Sequence, residues 1–487
     1  MEWSLHGSAG LGVARQVAER LRGAGFQAYF AGGCVRDLLL GRVAKDFDVA
    51  TSARPEEVLR LFTGRSGFRT MEVGAHFGVI LVVAEVDGER VEVEVATFRH
   101  DGVYLDGRRP EAVRFSVDAR EDVVRRDFTI NGMLLEPSLM EERKIQHGGH
   151  GGTEPEITVV RVPDGAVLDF VGGREDLARG LVRAIGEPAR RFEEDKLRML
   201  RGVRFAARLG FTLEAETLRA MRVHAAQISQ VSAERVREEL TRMLTEGGAR
   251  RAFEMLDESG LLREVLPEIA RMKGVEQPPE YHPEGDVWLH TLILLEQLPA
   301  GVSCELAWGF LLHDVGKPAT FQPPDPKKPG DRIRFNGHVE VGVRIAEVML
   351  ERLRFSNDAR TQILALIKHH MQFGDVRSMK ESTLKRFVRM PHFEEHLALH
   401  RADCLASHGK LGMWEYAKEA YERDEPAEVR PKWLVTGKEL IAAGYRPGLG
   451  FKEMLRVVED AQLEGRVTTV EDGLELIARE FARPNGD

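Results

Sequence analysis

Residues 32–51, GGCVRDLLLGRVAKDFDVAT, constrain this chain more than any other stretch. Gly32 and Gly33 open a short helix whose first turn carries Arg36 and Asp37. A turn follows at Gly41, and an extended run then sets Asp46 and Asp48 one residue apart. Side chains two apart on a strand project the same way, so the two carboxylates converge on one spot. A divalent cation relieves their repulsion, and hard oxygen ligands of this kind suit Mg²⁺ shared with substrate phosphates. The backbone N–H groups of Gly32 and Gly33, at a helix start, suit a triphosphate. An isolated Asp-X-Asp in a solvated turn would carry no such meaning. Here a glycine turn and a helix precede it in order, which is the layout of a nucleotidyl-transfer site.

A chain of 487 residues has room for roughly two to four domains. Its 43% apolar and 30% charged residues are those of an ordinary soluble protein. Cys34, Cys304 and Cys404 lack CxxC spacing, which argues against a disulfide framework and for a reducing, cytoplasmic compartment. No apolar run approaches the ~20 residues of a membrane span. The opening LGVARQVAERLRGAGF reads as an amphipathic helix ending at glycine, not as a secretory signal. A net charge of −9 speaks against wholesale coating of nucleic acid, so such contact falls to local basic patches.

Before the glycines, FQAYFAGG reads as a strand, and RPEEVLRLF at 54–62 as a helix. HFGVILVVAEV and RVEVEVATF alternate as strands. In the second, Val91, Val93 and Val95 face one side and Glu92 and Glu94 the other. Two-metal phosphoryl chemistry commonly takes a third carboxylate; Glu94 is the candidate, with Glu92 as the alternative. Residues 99–120 are polar and rich in glycine and arginine, the composition of a mobile loop leading to a short strand. EDVVRRDFTINGMLLEP reads as one helix with Arg125, Arg126 and Asp127 near its start and Asn131 a turn later; arginines there can pair with phosphate oxygens. From 139 to 160 the chain reads as irregular, and His147 and His150 fall among its glycines as a surface loop without chemistry.

From Phe192 onward the pattern predicts one strong helix, with Leu197, Leu200 and Ala207 on a stripe and Gly210 at its end. Glu194 and Arg198 lie four apart and Asp195 and Arg198 three apart, so their heads are neighbours. Seven arginines and one lysine stand against four acids between 181 and 208, a basic face suited to phosphates. Cytosine and adenine each present an amino donor beside a ring-nitrogen acceptor, whereas guanine and uracil present the reverse order. An ionised Asp only accepts and an Arg only donates. A fixed Asp195/Arg198 pair therefore favours CTP and ATP, since mispairing buried polar groups costs about 1–3 kcal/mol each.

GGCVRDLLLGRVAKDFDVAT, RRDFTINGM, RRFEEDKLRMLRGVRFAARLGF and SAERVREELTRML occur in this order. Together they resemble the motif series of class II tRNA nucleotidyltransferases, the family of bacterial CCA-adding enzymes and poly(A) polymerases, over about the first 275 residues. The resemblance implies an α+β chain: a polymerase-β-like nucleotidyltransferase head with a mixed sheet and helices, then all-α neck, body and tail regions. It implies metal binding by Asp46 and Asp48, and a loop at 99–109 that helps switch between C and A addition. It also gives Glu194, Asp195 and Arg198 the family's nucleotide-template role and residues 232–244 a structural role in the neck. The stretch at 139–160 departs from the usual pattern.

The C-terminal half offers His290 in YHPEGDVWLHTL, His313 and Asp314 in LLHDVGKPAT, and His338 in FNGHVEVG. LIKHHMQF adds His369 and His370, and LHRADCLAS adds Asp403. Imidazole and carboxylate together suit borderline metals, and an adjacent His–Asp pair can hold an ion while water is oriented for attack on phosphate. The ordered series resembles the HD-domain metal-dependent phosphohydrolases over about 282–410. That resemblance implies His290, His313, Asp314 and Asp403 as ligands of a divalent transition metal or Mg²⁺, with His338 and His370 for a second ion. The proline- and lysine-rich loop at 325–332 reads as solvated, and 434–465 as two closing helices around a glycine–proline turn.

The expected domains are therefore a head over 1–157, a neck and body over 158–275, an HD domain over 276–425 and a helical tail over 426–487. The expected activity is restoration of the 3′-terminal CCA of tRNA from CTP and ATP with two Mg²⁺ ions. Asp46, Asp48 and Glu94 would be the catalytic carboxylates. Gly32, Gly33, Arg36, Asp37, Arg126, Asp127, Asn131, Glu194, Asp195 and Arg198 would contact the nucleotide. A-only or CC-only addition and poly(A) synthesis are the family alternatives. An HD phosphohydrolase with an RNA-binding first half is the alternative of another class. The sequence leaves the oligomeric state open and indicates no membrane partner.

Overall fold

The computed structural model describes residues 2–5, 9–44, 46–64, 67–74, 78–101, 113–145, 157–423 and 433–481. The chain divides into two compact units, Met1–Pro267 and Glu268–Asp487.

In the first unit a mixed sheet of seven strands is built around the glycine turn. Its order is Val167–Asp169, Met133–Leu135, Ala28–Ala31, Asp48–Thr51, Glu89–Thr97, Val79–Val86 and Phe68–Gly74. Asp48–Thr51 and Glu89–Thr97 pair in parallel, the other neighbours antiparallel. The opening helix, Ala9–Gly23, buries Leu11, Ala14, Val17, Ala18 and Leu21 against this sheet, as its 3–4 spacing requires. Each such fully buried leucine or valine contributes about 1.5–3 kcal/mol. Residues 139–160 depart from the irregular chain expected: Glu141–Ile145 and Ile157–Arg161 pair antiparallel, and Glu2–Leu5 adds to the latter. ITVVR is rich in β-branched residues, as a strand requires, but four consecutive charges in EERKI hide its partner strand from any hydrophobic period. His147 and His150 lie outside the described residues, as does most of the 99–109 loop.

Two predicted helices are broken. The one expected over 121–137 is confined to Ala119–Val124, followed by a 3₁₀ turn at Thr129–Asn131 and the strand Met133–Leu135. The donors that would extend it are diverted: Phe128 N–H donates to Asp127 Oδ1 at 2.8 Å and Thr129 N–H to the Arg183 carbonyl at 2.9 Å. The helix expected from Phe192 onward is two, Pro188–Glu194 and Leu197–Leu209. Asp195 is extended (φ −148°, ψ 107°) and its Oδ1 accepts the Leu197 N–H at 3.0 Å. A short acidic side chain thus competes with the helix for backbone donors. Leu197–Leu209 runs through the helical core, packed on Ala233–Thr245 and Ala249–Glu258.

The second unit is helical. Val287–Glu296, Cys304–Leu312, His338–Arg352, Asn357–His369 and Phe393–Ala406 form its central bundle, around buried residues such as Trp308, Leu311, Ile363 and Leu366. A separate small core of Val435, Leu440, Val458, Ala461 and Ile477 holds the closing helices Gly437–Ala442, Gly450–Leu463 and Val470–Glu480, one more than expected. No helix among the described residues is long and apolar enough to cross a membrane.

Candidate active sites

The strand Ala28–Ala31 delivers the chain to Gly32, whose φ of 75° and ψ of −134° suit only glycine. A Cβ there would lie 3.4 Å from Arg126 Nη1 and 3.6 Å from Asp48 Oδ2, so the glycine leaves a cradle between a guanidinium and a carboxylate. Asp48 opens the next strand and stands in register beside Glu94 on Glu89–Thr97. Glu92 is instead on the surface, paired with Arg90 at 2.6 Å. Asp46 precedes the strand and is exposed. Burial, then Glu94, and more weakly Asp46, push the Asp48 carboxyl up to about 6, against the pull of Arg126. Glu94 is also raised, by burial, with Arg126 and Arg99 opposing. Facing carboxylates that resist ionisation are a donor set that fits a divalent cation.

Asp48, Arg126, Asp195 and Arg198 border one cavity of about 410 Å³ together with Gly32 and Gly33. Arg198 and Asp195 do not pair through their side chains, contrary to expectation. Arg198 Nη1 bonds Glu194 Oε2 at 2.8 Å and its Nη2 donates to the Arg125 carbonyl at 3.0 Å. Asp195 is gripped by Arg235 at 2.8 and 3.3 Å. The helix break that turns Asp195 aside explains the exchange of partners, and both heads still border the cavity.

Beneath lies a buried polar network. Arg36 pairs with Asp37 at 2.7 Å and donates to Asn131 Oδ1 at 2.8 Å; Asn131 donates to Asp127 Oδ1 at 3.2 Å; Arg201 bonds Asp127 Oδ2 at 2.7 Å. Arg36, Arg201 and Arg204 lie over the Phe205 ring. Although burial opposes it, Arg201 and then Asn131 lower the Asp127 carboxyl to about 2. Arg36, Asp127 and Asn131 line the cavity; Asp37 does not. Arg125 and Arg126 share Asp122 at 2.6 and 2.9 Å. Arg201 and Arg235 are cavity residues that the sequence reading passed over. Their signal was the arginine-rich face at 181–208 for the former and SAER for the latter.

In the second unit six expected ligands converge. Asp314 lies between two groups: its Oδ2 is 3.2 Å from His313 Nε2 and 3.8 Å from His290 Nε2, its Oδ1 3.7 Å from His338 and 3.8 Å from His370. Asp403 Oδ1 is 3.2 Å from His290 Nε2. His290, His313 and Asp403 form one group able to hold an ion, Asp314, His338 and His370 another. His313, His338 and His370 each place Nδ1 on a backbone carbonyl at 2.7–3.0 Å. His290 places Nδ1 on Glu284 Oε1 at 2.7 Å. Each Nε2 is thereby aimed inward, the usual outer-shell device of metal sites, although against burial Asp403 and Glu284 push His290 up to about 9, so that it sheds a proton on taking an ion. The Nε2 atoms of His290 and His313 are buried with no hydrogen-bond partner directed at them, which fits an ion. Burial depresses His370 to about 4, keeping it a neutral donor. His369 points away, onto Gln372 at 3.0 Å. Glu284, His282 and Lys317 were not anticipated. Lys317 Nζ is 2.7 Å from Asp314 Oδ2, a spacing HDVGK already displays.

Residues 28–153 match the family described as Poly A polymerase head domain. Residues 210–273 match the Probable RNA and SrmB-binding site of polymerase A, and 286–407 the HD domain. A CCA-adding enzyme of Geobacillus thermodenitrificans is 39% identical over 306 residues, 63% of this chain and 62% of that protein. One of Lactobacillus gasseri is 36% identical over 288 residues, 58% of this chain and 64% of the relative. The chain thus spans less than two thirds of the length of these curated relatives. The crystal structure of the Bacillus stearothermophilus CCA-adding enzyme in complex with CTP superposes with a TM-score of 0.69 at 25% identity. It covers 98% of this chain and 99% of that one. The Thermotoga maritima CCA-adding enzyme complexed with tRNA shares the fold, with a TM-score of 0.53 at 18% identity over 97% and 96% of the two chains.

The chain thus combines a segment similar to the poly(A) polymerase head, one similar to the RNA-binding region of such polymerases and, in its C-terminal half, an HD domain. Its similarity runs to the bacterial CCA-adding enzymes. Nucleotidyltransferases of this class work with a divalent metal; among the described residues the groups of three or more side chains able to hold an ion lie in the second unit.

Proposed function

We propose that this protein rebuilds the 3′-terminal CCA of tRNA from CTP and ATP in the cytoplasm, releasing pyrophosphate. The observation that carries this reading is the shared cavity. Asp48, beside Glu94, and the pair Asp195 and Arg198 border the same 410 Å³ space, so one nucleotide can meet both. Asp46, Asp48 and Glu94 would hold Mg²⁺, which when bound supplies Lewis-acid stabilisation of the phosphoryl oxygens and a more acidic 3′-hydroxyl. Arg126, with the Gly32 and Gly33 amides, neutralises and orients the triphosphate. Arg36 and Asn131 brace this wall from beneath. Asp195 accepts the amino donor of cytosine or adenine and Arg198 donates to the neighbouring ring nitrogen. Glu194 and Arg235 hold these two readers in orientation.

The test offers tRNAs ending before C74, after C75 and complete, each with one nucleotide at a time. CTP should be used first and ATP only after both cytidines. Use of ATP alone would replace this reading with A addition, and ATP polymerised onto any RNA with poly(A) synthesis. For the second unit we propose a metal-dependent phosphohydrolase, on the observation that Asp314 stands between two imidazole groups whose Nε2 atoms aim inward. A transition metal such as Mn²⁺ suits that mixed imidazole–carboxylate set.

A further inference from the structure

We propose that Tyr281 and Arg332 form the wall that receives the organic group of a phosphate ester at the HD site. This rests on reading that site as a phosphohydrolase. The cavity carrying Asp314, His338, His370 and Asp403 also carries Tyr281 and Arg332 and measures about 730 Å³. Cavities of about 300–1,000 Å³ enclose drug-sized organic ligands, so inorganic phosphate leaves most of this one empty.

The Arg332 guanidinium lies 5.3 Å from the centre of the Tyr281 ring, and its Nη1 donates to the Tyr281 hydroxyl at 2.8 Å. Among the described residues no carboxylate pairs with Arg332, whereas its neighbour Arg334 is ion-paired with Asp331. Tyr281 keeps 48% of its surface exposed. A flat, unneutralised cation at the hydroxyl end of an accessible ring suits a planar π-system attached to an anion.

The placement is fixed from both sides. Gln322 and Arg334 exchange backbone hydrogen bonds at 2.9 and 3.0 Å, and Asp331 Oδ2 accepts the Asp325 N–H at 2.7 Å. The 321–337 segment is therefore a folded-back loop, and its 325–332 stretch is largely exposed to solvent, as its composition suggests. On the other side Tyr281 adjoins His282, whose Nδ1 meets Glu284 Oε1 at 2.9 Å, the same oxygen that orients His290. The wall is thus built next to the ligand set, and the substrate class it selects is a phosphate ester bearing an aromatic or heteroaromatic ring.

The test is calorimetric titration of the full-length protein loaded with Mn²⁺, using inorganic phosphate and the non-hydrolysable 4-nitrobenzylphosphonate. Wild type should bind the phosphonate more tightly than phosphate. Arg332→Ala and Tyr281→Leu should each reduce phosphonate affinity about tenfold and leave phosphate affinity unchanged. Tyr281→Phe, which keeps the ring, should retain most of the preference. Equal weakening of both probes, or a preference that survives both substitutions, overturns the wall while leaving the phosphohydrolase reading intact. Absence of metal-dependent phosphate binding in wild type overturns that reading and the wall with it.

Discussion

Asp127 shows how a single side chain can hold a site without being where chemistry happens. It is buried, bonded to Arg201 and Asn131, and its own peptide neighbour Phe128 donates to it. Its folded carboxyl titrates near 2, below the ordinary aspartate value of 3.8. A depressed carboxyl stabilises the fold wherever it is ionised in both states. That contribution is complete above about pH 4 and disappears as pH falls through about 2. Asp127→Asn should therefore cost about 2 kcal/mol at pH 7, and the gap between variant and wild type should close on acidification. Melting of both proteins at pH 7, 5 and 3 checks this; a gap that stays constant with pH would assign the loss to packing. The sequence displayed Asp127 beside Arg126 and marked the arginine for phosphate and both for the nucleotide. It could not display Arg201, 74 residues on, which turns Asp127 into a brace.

At the scale of elements, hydrophobic period found strands and helices well where burial alone decides them, as in Ala9–Gly23 and Glu89–Thr97. It failed where a polar side chain takes a backbone donor, at Asp127 and Asp195, because such competition leaves no trace in periodicity. Both failures fall beside the first cavity, where local regularity gives way to placing a functional head. Close approach of elements is equally invisible in sequence. A Cβ at Gly316 would lie 2.0 Å from the His338 carbonyl and 2.6 Å from the Gly342 nitrogen, at the start of His338–Arg352. Gly316→Ala must push that helix away from Asp314, carrying His338 with it. We expect Mn²⁺ binding to fall from two ions per chain to one, with His290, His313 and Asp403 retaining theirs. Elemental analysis after equilibrium dialysis measures it, and two ions retained would remove His338 from the ligand set.

For the whole molecule, two compact units with separate cores each enclose their own carboxylate cluster. The chemistry proposed for them should therefore separate. Asp48→Asn removes one anion from the first cluster without changing its shape. Because folding raises the Asp48 carboxyl to about 6, the contribution of its protonated form to stability is full below about pH 4 and lost as pH rises through 6. The apo variant should consequently be no less stable than wild type at pH 8. Nucleotide addition should nonetheless fall at least about 100-fold, since even indirect perturbation of a metal site costs 10–100-fold. Hydrolysis of a phosphate ester by the same preparation, with Mn²⁺ supplied, should be unchanged, because no residue of that cluster lies in Met1–Pro267. A destabilised Asp48→Asn would contradict the facing-carboxylate argument, and joint loss of both activities would contradict two separate sites. Addition lost while stability and hydrolysis persist is the outcome that a metal-gathering Asp48 requires.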